Sequence, residues 1–274
     1  MDRSVDPATL VDLDRYPILD LASPTGRALA HRCRAELDAT GACELEGFLR
    51  SAATARMVRE SESLASVAHR NAGKGTPYLE IPDPGWPEDH PRRSFGEYGV
   101  DVIPYDLVPE PHALRRLYGW DPLMEFVAAA IGAAQVFRYA DPLGALNVAV
   151  MGAGDRLQWH YDQTDFVVSL ALRGAEAGGD FEYVPLIRSR EDENYPAVQR
   201  LLGGDESAVR RVPMRPGTLL LFEGRCSIHR VSPIRGAPPR LVALLAYDTK
   251  PGTCASEVLQ QARYGRVVRP PVPA

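Results

Sequence analysis

No stretch of this 274-residue chain stays apolar for the ~20 residues that a membrane-spanning helix needs. The opening MDRSVDPATLVDLDRYPILD has early acids and no apolar segment of the secretory kind. Basic charge is not in excess either. The formal net charge is −5 and the pI about 5.7, so no global attraction to nucleic acid or an anionic membrane is expected. The doublets Arg92-Arg93, Arg115-Arg116 and Arg210-Arg211 are scattered, as solvated surface charges are. Cysteine is scarce: Cys33, Cys43, Cys226 and Cys254 show no CxxC spacing. They read as reduced thiols of a cytoplasmic protein, not a disulfide framework or a zinc site. The chain contains no HExxH or HxHxD motif, no internal repeat and no low-complexity segment.

What is present, at 45% hydrophobic and 24% charged residues, is the composition of an ordinary soluble protein, large enough for one full core. The first third has helical spacing at 25–39 and 49–69, with a short strand and turn in GACELEGF between them. Residues 71–99 are dense in Gly and Pro, which predicts a long irregular segment of lid or binding-loop type. Helical spacing returns at 111–131. From about residue 135, QVFRYA, ALNVAVMG, RLQWHY, DFVVSLALR, DFEYVPL, GTLLLFEG and RLVALLAYDT are short β-branched or aromatic runs between Gly, Pro and Asp. That is the rhythm of an all-β sandwich or barrel. The insert 191–210 reads as helix and loop, and the tail RVVRPPVPA as frayed.

In LQWHYDQTDF, an extended chain would aim His160 and Asp162 at one point and turn Tyr161 away. With 6 histidines and 36 acids, chance alone supplies about one His-x-acid pair, so the pair needs support. Beyond residue 112 the only other histidine is His229, in CSIHRVSP after the strong strand PGTLLLFEG. Two histidines and a carboxylate are the facial triad of non-heme iron(II) oxygenases. Eleven residues on, Arg240 is the only charge before Asp248 in an otherwise apolar strand. It is suited to gripping a carboxylate, or to a plain salt bridge at the strand end.

HYD at 160–162, GGDFEYV at 178–184, PGTLLLFEG at 216–224, His229 and Arg240 together resemble the iron(II)/2-oxoglutarate-dependent oxygenases over residues 135–250. More narrowly, WHYD, the Gly-Gly pair, the HRVSP stretch and the upstream LYGWDPL are similar to the carrier-independent amino-acid radical halogenases and their hydroxylase relatives. The resemblance implies a mostly β fold with flanking helices, its core a double-stranded β-helix (a cupin-like jelly roll). It divides a single oxygenase domain, 1–274, into a helical front (about 1–134, with a lid-like loop 71–106), a jelly-roll core (about 135–250) and a tail (251–274). It further implies Fe(II) held by His160, Asp162 and His229, with 2-oxoglutarate and O₂ as cosubstrates. Arg240 would bind the far carboxylate of 2-oxoglutarate, with Asn147 and Ser232 as further contacts. In the halogenases the carboxylate position is Gly or Ala, which leaves room for chloride. Asp162 fills it, so the resemblance implies hydroxylation, or another oxidation such as desaturation, rather than halogenation.

The same likeness suggests a small-molecule substrate, a free amino acid or derivative in a biosynthetic pathway. Arg92 and Arg93 are the candidates for its carboxylate, Asp165 and Glu80 for its ammonium, and Tyr78, Trp86 and Tyr98 for closing over it; each is also an ordinary loop residue. Val242, Leu244 and Ala246, on one face with Arg240, speak against a strongly cationic substrate. A peptide or protein hydroxylase and a non-enzymatic cupin-like metal or ligand binder are the alternatives. No nucleic-acid or membrane partner is expected, and the sequence does not specify an oligomeric state.

Overall fold

The computed structural model describes residues 5–269. In chain order its strands are β1 (Ala42–Leu45), β2 (His69–Gly75), β3 (Gly96–Ile103), β4 (Phe137–Arg138), β5 (Leu146–Met151), β6 (Leu157–His160), β7 (Val167–Arg173), β8 (Phe181–Val184), β9 (Arg210–Val212), β10 (Leu219–Phe222), β11 (Ile228–Val231), β12 (Arg240–Leu245) and β13 (Tyr247–Asp248). The helices are α1 (Pro24–Thr40), α2 (Ser51–Glu62), α3 (Ala113–Tyr118), α4 (Asp121–Ala130), α5 (Tyr195–Leu202) and α6 (Glu257–Tyr264). A seven-stranded sheet, β1-β10-β7-β12-β5-β3-β2, faces a four-stranded sheet, β6-β11-β8-β9, and all the pairings are antiparallel. This is the double-stranded β-helix with flanking helices that the sequence implied.

The alternation of side chains explains both layers. On the large sheet Leu146, Val148, Val150, Val168, Leu170, Leu219, Leu221, Leu241 and Ala243 share one cluster with Leu37 of α1, Met57 of α2, Leu117 of α3 and Phe126 of α4. The intervening positions turn inward, where Ala171, Leu220, Phe222 and Val242 meet Tyr183 of the small sheet. Because helices cover one face and the second sheet covers the other, the strands read as near-continuous apolar runs. The helices start and stop as their residues dictate. In α1 the Ser23 hydroxyl accepts from the Gly26 N–H at 3.0 Å, Pro24 opens the first turn, and Gly41 ends the helix at φ 71°.

Three expectations need correction. Residues 71–106 are not a lid-like loop. β2 and β3 pair over seven residues, and β3 joins β5. The glycines mark an edge strand and not a break: Gly73 lies opposite Tyr98, where a Cβ would sit 3.1 Å from the tyrosine oxygen, so the aromatic ring covers the glycine. The irregular segment is 76–95 alone. The front is also more than helical, since β1, β2 and β3 belong to the large sheet. Lastly, residues 251–269 are an ordered element containing α6, tied down by Arg266 on Asp106 and by the Val268 N–H on Gln260. The rest of the tail, 270–274, and residues 1–4 lie outside the described residues. No helix among the described residues is long and apolar enough to cross a membrane.

Candidate functional site

β6 and β11 are neighbours whose register sets His160 opposite His229, and such partners project to the same side of a sheet. The imidazole centroids are 4.2 Å apart. Each ring is oriented through Nδ1, His160 on the Gln158 carbonyl (2.8 Å) and His229 on the Ser227 carbonyl (3.0 Å). An Nδ1–H that donates to a carbonyl leaves the lone pair on Nε2, so these partners assign the tautomers. Burial, aided by His229, pulls the His160 pKa down to about 4; the ring is neutral near pH 7, as a metal-binding imidazole must be.

Asp162 lies just past β6, held by its N–H on the Gly224 carbonyl (3.0 Å), with Oδ2 3.4 Å from His229 Nε2. One ligand atom from each of His160, Asp162 and His229 falls within 4.8 Å of the others. The last glycine of PGTLLLFEG makes this possible, because a Cβ on Gly224 would lie 1.7 Å from Asp162 Oδ2. Two neutral imidazoles and a carboxylate on one side of a point suit a divalent first-row metal with open positions on the other side.

These groups lie in a cavity of about 590 Å³ between the sheets. Arg240, at the start of β12, lines it and is only 5% exposed. Among the described residues its guanidinium has one hydrogen-bond partner, the weakly accepting Met151 sulfur at 3.8 Å, and no ion pair. Burial pulls the guanidinium down to about 10, partly offset by Asp180; it is still charged at neutral pH. A buried, uncompensated cation is costly unless an anion joins it. The salt bridge at the strand end that the sequence left open is absent among the described residues. Asn147, on β5 beside β12, also lines the cavity, and its Oδ1 has no hydrogen-bond partner. Ser232 does not reach the cavity; its hydroxyl accepts from the Asp180 N–H at 3.0 Å.

The substrate candidates are mostly engaged elsewhere. Arg92 donates to Glu80 and, at 2.8 Å, to the Tyr195 hydroxyl, and lies over the Tyr78 ring. Arg93 donates to the Trp86 carbonyl. Tyr78 packs on Tyr161, which points away from the triad as its place between His160 and Asp162 requires. Arg92, Arg93, Glu80 and Tyr78 thus clip segment 76–95 to α5 on the outer face of the small sheet, and none of them lines the cavity. Asp165 does line it, but is paired with Arg190 (2.8 Å) and Arg225 (2.6 Å). Trp86 stacks on His90, and Tyr98 covers Gly73. From the segment 76–95 only Leu79 reaches the cavity.

Residues that the sequence reading passed over also line the cavity: Tyr139 and Asp141 before β5, and Arg263 in the last turn of α6. Asp141, 1% exposed, accepts from the N–H groups of Leu143, Gly144 and Ala255 and from Gln260 Nε2, fastening the C-terminal segment across the cavity. The DPLG turn was a local signal for Asp141. Nothing local marks Arg263, which comes close to the site only through the path of the chain after β13.

Among solved structures, the fold is similar to a 2OG-Fe(II) oxygenase family oxidoreductase from Burkholderia pseudomallei (16% identity, 81% of this chain and 92% of that one, TM-score 0.52). It is also similar to a prolyl hydroxylase from Trichoplax adhaerens in complex with a hypoxia inducible factor peptide (16%, 84% and 96%, 0.55). A third is HygX from Streptomyces hygroscopicus with nickel and 2-oxoglutarate bound (16%, 78% and 85%, 0.50). At such identities the likeness is one of fold. No curated protein sequence matches. The sequence profile of Halogenase D matches residues 99–261, a span that takes in most of β3, the triad, Arg240 and most of α6. The chain belongs to the Halogenase D family.

Proposed function

We propose that the protein is an Fe(II)- and 2-oxoglutarate-dependent oxygenase that hydroxylates a small molecule, a free amino acid or a derivative of one. The observation that carries this reading is the pairing, in one cavity, of the His160–Asp162–His229 cluster with a buried guanidinium that has no ion-pair partner among the described residues. The donor set fits iron(II), and Arg240 fits the distal carboxylate of 2-oxoglutarate. Iron(II), 2-oxoglutarate and O₂ together supply the oxidant, with succinate and CO₂ as by-products. His160 and His229 donate Nε2 lone pairs and Asp162 a carboxylate oxygen. Arg240 takes the cosubstrate's far carboxylate by a charge-assisted contact, while Asn147, opposite Leu244 on the neighbouring strand, offers its amide to the cosubstrate from the same cavity. Leu157, Phe181, Val242 and Leu244 line the cavity with apolar surface that limits water at the reacting carbon.

Asp162 is the ground for oxygen transfer within a family named for halogenation, because it occupies the position that halogenases leave to chloride. A cavity of this volume, crossed by the C-terminal segment, suits a metabolite better than a peptide. Succinate release with single free amino acids, followed by mass spectrometry in chloride buffer, tests the reading. Substrate-dependent succinate and a product with one added oxygen are expected; a chlorinated product, or stimulation by peptides alone, would overturn it.

A further inference from the structure

We propose that Arg263, together with the Tyr139 hydroxyl, holds a carboxylate of the substrate, so that the enzyme takes the free acid and rejects compounds in which that carboxylate is blocked. The proposal rests on the oxygenase reading above and replaces Arg92 and Arg93 as the substrate clamp. It starts from the state of each charged group in the cavity. Asp141 is saturated by four donors. Asp162 belongs to the triad, and Arg225 is ion-paired to Asp165, which Arg190 shares. Asp248 accepts from the Lys250 N–H and the Thr253 hydroxyl. Arg240 is at the 2-oxoglutarate end. Lys250 is solvent-exposed at the rim. Arg263 remains, half-buried, with neither an ion pair nor a hydrogen bond to any described residue.

A basic residue in the last helical turn has an ordinary use in facing the negative end of the helix dipole. That use does not require it to line a cavity, and Arg263 does. Its charge bears on Tyr139, and on the adjacent Tyr264, lowering each phenol's pKa against the larger effect of burial. Arg263 and Tyr139 both line the cavity that holds the triad, and the guanidinium is within electrostatic reach of the phenol. Tyr139 is half-buried and lines the same cavity, and its hydroxyl has no hydrogen-bond partner among the described residues. Burial, with Asp248 and Asp141 nearby, pushes the phenol up to about 12, which keeps it a neutral donor. An unpaired guanidinium and a free hydroxyl donor lining one cavity, within electrostatic reach of each other, suit a carboxylate. Arg240 and Arg263 come from different elements, β12 and α6, so cosubstrate and substrate have separate anion contacts.

The test uses the wild-type enzyme with Fe(II) and 2-oxoglutarate, the twenty standard L-amino acids as probes, and the carboxamide of each that responds. Free acids are expected to stimulate succinate formation, with the matching amide at least tenfold poorer in kcat/KM. Arg263→Gln should raise KM for the acid at least tenfold and abolish the acid-over-amide preference, Arg263→Lys should recover part of it, and Tyr139→Phe should weaken it. In all three variants the visible band of the Fe(II)–2-oxoglutarate chelate, read without substrate, should form at the wild-type 2-oxoglutarate concentration. Equal responses to acid and amide, an unchanged preference in Arg263→Gln, or no response to any free acid overturns the proposal while the chelate band persists. If no band forms in the wild type, the oxygenase reading itself falls, and this inference with it.

Discussion

A single methyl group at position 224 would collide with the Asp162 carboxylate at 1.7 Å, so the smallest side chain there is part of the triad's geometry. Gly224→Ala is expected to lower Fe(II) affinity by about tenfold or more, an effect of the size seen when a ligand's supporting group is lost. Its far-UV circular dichroism should stay that of the wild type; metal affinity equal to the wild type would show that Asp162 is free to shift. Arg240 makes the opposite kind of prediction. Because its charge is buried without a counter-ion, Arg240→Met should leave the metal- and cosubstrate-free protein as stable as the wild type or more so in thermal melts. The 2-oxoglutarate requirement should rise about 10- to 100-fold, the loss of one charge-assisted contact of ~1.5–3 kcal/mol. An unchanged requirement would remove Arg240 from the anion site. His31, His69, His90 and His112 should be replaceable without loss of iron. At this scale the sequence was informative where residues share a strand or a fixed spacing, as with His160, Asp162, His229 and Arg240. It could not reveal Tyr139 and Arg263, whose meeting depends on two distant segments closing on one cavity.

Two elements are held by buried carboxylates with different tasks. Asp141 fastens the C-terminal segment to the turn before β5 through four donors. Asp141→Ala strands those donors and should cost about 2–4 kcal/mol in urea unfolding. It should also speed hydrogen exchange between residues 253 and 264. Local exchange rates equal to the wild type would mean that the segment is held by other contacts. Glu182, on the outer face of β8, is bound by Arg211 at 2.7 Å and Arg230 at 2.6 Å. Burial alone would raise its pKa, but the two guanidiniums outweigh burial and lower it. A carboxylate depressed in the folded state stabilises the fold above its unfolded pKa of about 4.3 and loses that contribution as pH falls through its folded value. Glu182→Gln should therefore destabilise the protein by ~2 kcal/mol at pH 7, with the difference from wild type shrinking at acidic pH. A constant difference across pH would assign the effect to packing. Among the elements, the core strands could be read from their apolar runs. β2 and β3 could not: the glycines and polar residues of β2 are tolerable because it is the sheet edge, which sequence alone does not say, and β3 carries glycines of its own between β2 and β5.

On the scale of the molecule, the large sheet spends one face on the helices and gives the other to the cavity, so the triad on the small sheet and Arg240 on the large one face each other across it. The N-terminal third supplies strands as well as helices, and the C-terminal segment crosses the cavity beside the triad. Segment 76–95, which its composition had suggested as the lid, packs on the outer face, where Arg92 and Tyr78 bind it to α5. The central claim is that one cavity holds iron and 2-oxoglutarate through opposite sheets. The most direct test is an anaerobic titration of metal-free protein with Fe(II) and 2-oxoglutarate, following the visible charge-transfer band of the chelate. The expected result is a band that saturates in the wild type, is lost in His229→Ala, and needs more 2-oxoglutarate in Arg240→Ala. A wild type that binds another divalent metal tightly at these residues but gives no band, or a band that survives in His229→Ala, would contradict the account.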